Sequence, residues 1–181
     1  MTFLEKGYKM PKQKSNYLKL EEGNHTFRVL SSAIVGWEAW IDTEDGGRKP
    51  LRAKSQDDLP EVAFEQREIP KHFWAFVIYN REEEQIQILE ITQRSIMMKM
   101  EALVRNEKWG DPKEYDICIT RTGKTMQDTN YSTMPEPKEK LDPAILKLYK
   151  DMDIKLDKLY SGGDPFSGDE SLADEADKAI N

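Results

Sequence analysis

Residues 72–80, HFWAFVIYN, limit the fold of this chain more than any other stretch. The run is rich in aromatic and β-branched side chains and short, which fits a buried strand better than a helix. Trp74, Phe76 and Ile78 share one face; Phe73, Ala75, Val77 and Tyr79 share the other. A charged turn, REEE (81–84), leads into QIQILEIT (85–92), the natural pairing strand. There Ile86 and Ile88 lie on one face, Leu89 and Ile91 on the other. That switch predicts a bulge, or a strand end buried on both sides. A chain with this hairpin at its centre must be built around a sheet.

The flanking segments extend the pattern. NHTFRVLS (24–31) alternates as a strand. Residues 34–54, IVGWEAWIDTEDGGRKPLRAK, read as two extended arms around a polar turn. Asp42, Glu44, Asp45, Gly46 and Gly47 supply that turn's chemistry. Residues 55–70 contain two prolines and read as a loop or a poorly formed edge. Ile96, Met100, Leu103 and Val104 recur at helical spacing, which predicts a helix over 95–108 capped by Thr92 or Ser95 and ended by WGDP (109–112). YDICITRT (115–122) alternates again. A strand over 126–134 follows, ended by Pro135 and Pro137, and Asp142-Pro143 opens a short helix over 143–152. The order is strand, long excursion, strand, strand, helix, strand, strand. It predicts a mainly β protein: a five-stranded OB-fold Greek-key barrel with its helix between strands three and four. The excursion becomes an inserted β-hairpin finger between strands one and two. Three regions result: an irregular basic arm (1–22), the barrel (23–160) and a disordered acidic C-terminal tail (161–181).

Charge bears on function through its distribution. The net charge is −7, and residues 151–181 hold nine acids against three lysines. The first 150 residues are therefore near neutral, and residues 1–54 are mildly basic. Cys118 is the only cysteine, which excludes an internal disulfide and a Cys-cluster zinc site. No apolar run approaches the ~20 residues of a membrane span, and the polar, basic opening lacks a secretory h-region. A cytoplasmic location is the expectation. No phosphate loop, HExxH or GxSxG occurs, so no catalytic residue, metal ligand or cofactor is assigned.

The finger carries the chemistry. Trp37 and Trp40 stand on one arm; Arg48, Lys49, Arg52 and Lys54 stand on the other and just beyond it. Rings that stack on bases beside cations that follow phosphates make a single-stranded nucleic-acid site. Residues three apart on a strand point to opposite faces, so one tryptophan belongs to packing unless the finger bends. Further candidates are Lys71, His72, Trp74 and Phe76 on the central strand, with Arg121, Lys124 and Tyr131 around the loop after strand four.

Several stretches, in this order, resemble phage-type single-stranded DNA-binding proteins with an OB-fold: SNYLKLEEGNHTFRVLSSAIVGWEAW (15–40), KPLRAK (49–54), KHFWAFVIYN (71–80), IQILEITQRSI (86–96), ALVRNEKWGDPKEYDICITRTG (102–123) and LYSGGDPF (159–166). The resemblance spans most of residues 15–166. It implies non-enzymatic, sequence-nonspecific binding of single strands in phage DNA replication, recombination or repair, inside the host cell. The acidic tail reads as a solubilising segment, a competitor for the groove, or a docking peptide for replication or recombination proteins. Asp164-Pro165-Phe166 resembles the Pro-Phe tip of bacterial single-stranded DNA-binding proteins, although fifteen residues follow it. Two other classes fit less of the sequence: an assembly adaptor with an OB-like barrel, and a metal-dependent nuclease.

Overall fold

The aromatic run at the middle of the chain becomes the strand on which the others are assembled. A computed structural model describes residues 3–11 and 14–167. Among these, seven strands form one antiparallel sheet: β1 (Gly23–Val29), β2 (Ile34–Asp42), β3 (Arg48–Ala53), β4 (Lys71–Asn80), β5 (Gln85–Ile91), β6 (Tyr115–Thr122) and β7 (Asn130–Lys138). The described residues also form two α-helices, α1 (Arg94–Arg105) and α2 (Pro143–Met152).

β4 pairs along one edge with β5, from Trp74↔Ile91 to Asn80↔Gln85. Its other edge is shared. β2 pairs with its first half (Ile34↔Ala75 to Glu38↔Lys71) and β1 with its last residues (Phe27↔Asn80 to Val29↔Ile78). Across the break between β1 and β2 the Leu30 N–H donates to Val77 O at 2.9 Å, and Ser31 Oγ accepts the Val77 N–H at 2.8 Å. The ladder thus continues through a kink. β6 lies outside β1, and β7 outside β6. β3 lies outside β2, and no ladder joins β5 to β7 among the described residues, so the sheet is open.

Both faces of the centre are covered. One core packs Phe27, Val29, Phe76, Ile78, Leu89 and Ile91 under Ile96, Met97, Met100 and Leu103 of α1, with Tyr115, Ile117 and Ile119 of β6. The other packs Phe73, Ala75, Val77, Ile86 and Ile88 under α2 and the 3-10 turn Leu156–Ser161. The β4–β5 register is unbroken, so the apolar switch in QIQILEIT reflects burial on both sides and no bulge. Burial of this kind is what removes alternation from a strand's sequence.

Four local expectations change. β7 runs through Pro135 and Pro137, because among the described residues it pairs only with β6 and its other edge tolerates missing N–H groups. The 55–70 segment is a loop containing two 3-10 turns, Gln56–Asp58 and Glu61–Phe64; Leu59, between them, and Ala63, in the second, are buried against the finger. α1 starts at Arg94 after Gln93, whose side chain makes no cap bond, and Val104 points to solvent. The basic arm is partly ordered: Tyr17 bridges Ile88 in parallel, with Leu18 N–H on Ile88 O and Ile88 N–H on Asn16 O.

The chain's end also departs from expectation. Residues 161–167 belong to the packed body. Pro165 is buried and its carbonyl accepts the Lys155 N–H at 2.9 Å. Phe166 sits edge-on to Tyr17, with ring centroids 6.3 Å apart. Asp164 Oδ1 accepts the Phe166 N–H at 3.0 Å. Asp164, Pro165 and Phe166 therefore close the fold instead of forming an exposed docking tip. The remaining tail, 168–181, lies outside the described residues.

Candidate nucleic-acid interface

The finger is the β2–β3 hairpin, in register from Trp37↔Ala53 to Asp42↔Arg48. Its turn is closed by Thr43 N–H on Gly47 O at 2.8 Å and Gly46 N–H on Thr43 O at 3.1 Å. Gly46 takes the left-handed backbone there, with φ +85°. The Thr43 hydroxyl and the Gly47 N–H both donate to Asp45 Oδ1, and the hydroxyl bond above all holds the Asp45 carboxyl below its usual range. At the hairpin's base Gly36 is required by close approach. A Cβ there would lie 2.3 Å from Ala53 O.

Strand alternation separates the two tryptophans. Trp37 packs on the inner side with Ala39, Ala53, Leu59 and Ala63, its ring 5.3 Å from His72. Trp40 lies on the other side, opposite Pro50, and is 41% exposed. Its Nε1–H donates to Glu38 Oε1 at 3.0 Å, which fixes the ring's edge and leaves its faces to the surroundings.

Trp40 looks into a groove of about 980 Å³ between the finger, the N-terminal arm and the 3-10 turn Leu156–Ser161. Tyr17 and Tyr160 supply further aromatic walls, and Lys19 and Lys49 supply cations. Tyr160 is positioned by its hydroxyl, which donates to Val35 O at 2.6 Å, and Lys54 Nζ lies 5.4 Å from its ring centroid. Burial is the first cause raising both phenols above the ordinary tyrosine value. Both rings are therefore neutral stacking surfaces at physiological pH.

The groove's third cation is already committed. Arg52 Nε donates to Glu38 Oε2 at 3.0 Å, and its Nη2 to Glu90 Oε2 at 2.7 Å. Its side chain is only 11% exposed and also lies over the Phe73 ring. Two carboxylates of the fold thus hold the Arg52 guanidinium. With Glu38, Asp58 and Glu90 facing Lys19, Lys49 and Arg52, the groove wall carries no net charge.

The other candidates scatter. Arg48 lies on the exposed hairpin edge, 3.6 Å from Asp42. Lys71 is exposed and pairs in register with Glu38, while His72 stands opposite Trp37. Trp74 is half-buried against the α1 core, in a cleft shared with Met100 and Val104. Phe76 is 2% exposed, so no base can reach it. Arg121 and Tyr131 face each other on β6 and β7, with the guanidinium 6.0 Å from the ring centroid and Nη1 on Leu20 O. Lys124 is exposed in the following loop. None of these eight lines the groove.

The structure therefore unites Trp40, Lys49 and Arg52, with Lys54 at the margin on Tyr160. It adds Tyr17, Lys19, Glu38, Glu90 and Tyr160, which pattern reading did not place there. Only Tyr17 and Lys19 carried a signal, as an aromatic and a lysine within a basic arm. Tyr160 is brought in by a tertiary contact across 125 positions. Comparison with family models, curated proteins and solved structures gave no match to this chain.

Proposed function

We propose that this protein is a non-enzymatic binder of single-stranded DNA, without sequence preference, acting in phage DNA replication, recombination or repair in the host cytoplasm. The observation that carries this reading is the groove in which the exposed Trp40 ring stands with Tyr17 and Tyr160, flanked by Lys19 and Lys49. Rings accept any base on their faces, and lysines at the margin follow the backbone. The balanced wall makes stacking the main source of affinity, with a small contribution from counterion release.

The ladders β1–β4, β4–β5, β1–β6 and β6–β7, with α1 between β5 and β6, support an OB-like barrel left open between β5 and β7. The β2–β3 hairpin is then the insertion that lengthens the binding face. The sequence resemblance over residues 15–166 supports the same reading. Contacts with replication or recombination proteins fall to the acidic residues from Asp169 onward, since Phe166 is used within the fold.

Titration with oligo-dT at low salt, followed by tryptophan fluorescence, tests the proposal. Quenching is expected, and Trp40→Ala should weaken binding by about 5- to 150-fold, equivalent to ~1–3 kcal/mol for one stacked base. Absence of quenching by the folded protein, or unchanged affinity in Trp40→Ala, would overturn it.

A further inference from the structure

Two of the three aromatic rings that line the groove are anchored by a hydrogen bond of their own. Trp40 has its edge on Glu38, and Tyr160 has its hydroxyl on Val35 O. The Tyr17 hydroxyl makes no hydrogen bond among the described residues. Its backbone is fixed: the Leu18 N–H donates to Ile88 O at 3.0 Å, the Ile88 N–H to Asn16 O at 2.9 Å and the Tyr17 N–H to Ser15 Oγ at 3.1 Å. A fixed backbone still leaves a side chain several staggered rotamers. The ring is met by Phe166, from the other end of the described chain, with centroids 6.3 Å apart and the planes at 75°.

Phe166 can hold a neighbour because its own segment is pinned. Asp164 Oδ1 accepts the Phe166 N–H at 3.0 Å, and Asp164 O accepts the Ser167 N–H at 3.1 Å. Pro165 O accepts the Lys155 N–H and Lys158 O accepts the Gly163 N–H, both at 2.9 Å. Lys158 Nζ donates to Ser167 Oγ at 3.0 Å. These bonds tie residues 163–167 to the 3-10 turn that brings Tyr160 to the groove. Phe166 does not line the groove itself, so it acts there only through what it touches. Burial is the first cause that raises the Tyr17 phenol; the Arg52 charge opposes it and the Asp164 charge adds to it. Tyr17 thus stands between the groove's guanidinium and the Phe166 segment.

We propose that Phe166 is a positioning residue for the groove: it holds the Tyr17 ring in the rotamer that makes it a stacking wall. The inference rests on the reading of the groove as a single-strand site. Asp164-Pro165-Phe166 then serves strand binding from within the fold, by keeping one ring ready before a base arrives. A ring that is in place only part of the time lowers the apparent affinity by that fraction. Without Phe166 the Tyr17 side chain exchanges among its rotamers, and the wall is present only in some of them.

A double-mutant cycle on the full-length protein tests the assignment, with oligo-dT affinity read from tryptophan fluorescence. Phe166→Ala should weaken binding about threefold, the loss expected when three rotamers share the ring. In a Tyr17→Ala background the same change should have almost no further effect, because the ring it positions is gone. A general loosening of the fold would weaken both backgrounds alike. NMR of the free protein with ¹³C-labelled tyrosine rings gives a readout independent of DNA. The Tyr17 resonance, identified by its loss in Tyr17→Ala, should move in Phe166→Ala toward that of the exposed Tyr8, while the Tyr160 resonance stays. Equal weakening in both backgrounds, or an unmoved Tyr17 resonance, would overturn the role of Phe166 alone. No binding of oligo-dT by the wild-type protein would overturn the groove reading and this inference with it, even if the Tyr17 resonance moves.

Discussion

Replacing Arg52 by alanine should unfold the finger's base before it touches DNA binding. The guanidinium sits between Glu38 and Glu90 at 3.0 and 2.7 Å, with side-chain exposures of 11%, 8% and 16% for Arg52, Glu38 and Glu90. Removing it leaves two nearly buried carboxylates without a counter-charge. Breaking a buried pair in this way costs about 3–5 kcal/mol. With a urea dependence of about 2 kcal/mol per molar, the unfolding midpoint should fall by about 2 M. Lys49→Ala, at an exposed position of the same arm, should change stability by no more than about 0.5 kcal/mol. Its effect should appear in binding, where one lost phosphate contact lowers the slope of log affinity against log salt by about 0.7. The decisive variant is neutral throughout: Arg52→Met with Glu38→Gln and Glu90→Gln. It should recover much of the lost stability and keep the wild-type salt slope. A fall of about 0.7 in that slope, matching Lys49→Ala, would show that Arg52 contacts phosphate and that its ion pairs are incidental.

Two further outcomes follow from the same geometry. Gly36→Ala brings a methyl group against the Ala53 carbonyl, a backbone atom that cannot swing aside. A loss of about 1–3 kcal/mol is expected, seen as a lower thermal midpoint, and an unchanged midpoint would remove the close-approach argument. Tyr160 holds its proton more tightly in the folded state than at the ordinary value of 10.0, first through burial and then through the Asp157 charge. Its contribution is therefore intact below pH 10.0 and lost as pH rises through the higher folded value. Urea midpoints taken on both sides of that range should fall less steeply with pH in Tyr160→Phe than in wild type; parallel falls would refute the linkage.

The elements legible in the sequence were those with a single dominant period. The β4–β5 hairpin and α1 could be read because aromatic, β-branched or helically spaced residues marked their buried faces. The finger could be read from its turn, and the opposed faces of Trp37 and Trp40 from their spacing. Features set by remote partners were hidden. Pro135 and Pro137 look like strand terminators until β7 is known to be an edge. Arg52 looks like its neighbours Lys49 and Lys54 until Glu90, from another strand, arrives beside it. Asp164-Pro165-Phe166 looks like an exposed tip because nothing nearby in sequence reveals the Tyr17 ring that receives it. Leu59 and Ala63 gave no period at all, since this loop with its 3-10 turns buries isolated residues.

The contacts of Tyr160 with Val35 and of Phe166 with Tyr17 also set an order in time. The groove wall joins segments from opposite ends of the chain, one contact spanning 125 positions. On the ribosome, the sheet strands and α1 emerge well before residues 156–166. A nascent chain therefore carries the finger with Trp40 exposed and no opposing wall, until the last turn leaves the exit tunnel. The groove wall is completed only once residues 156–166 have been synthesised.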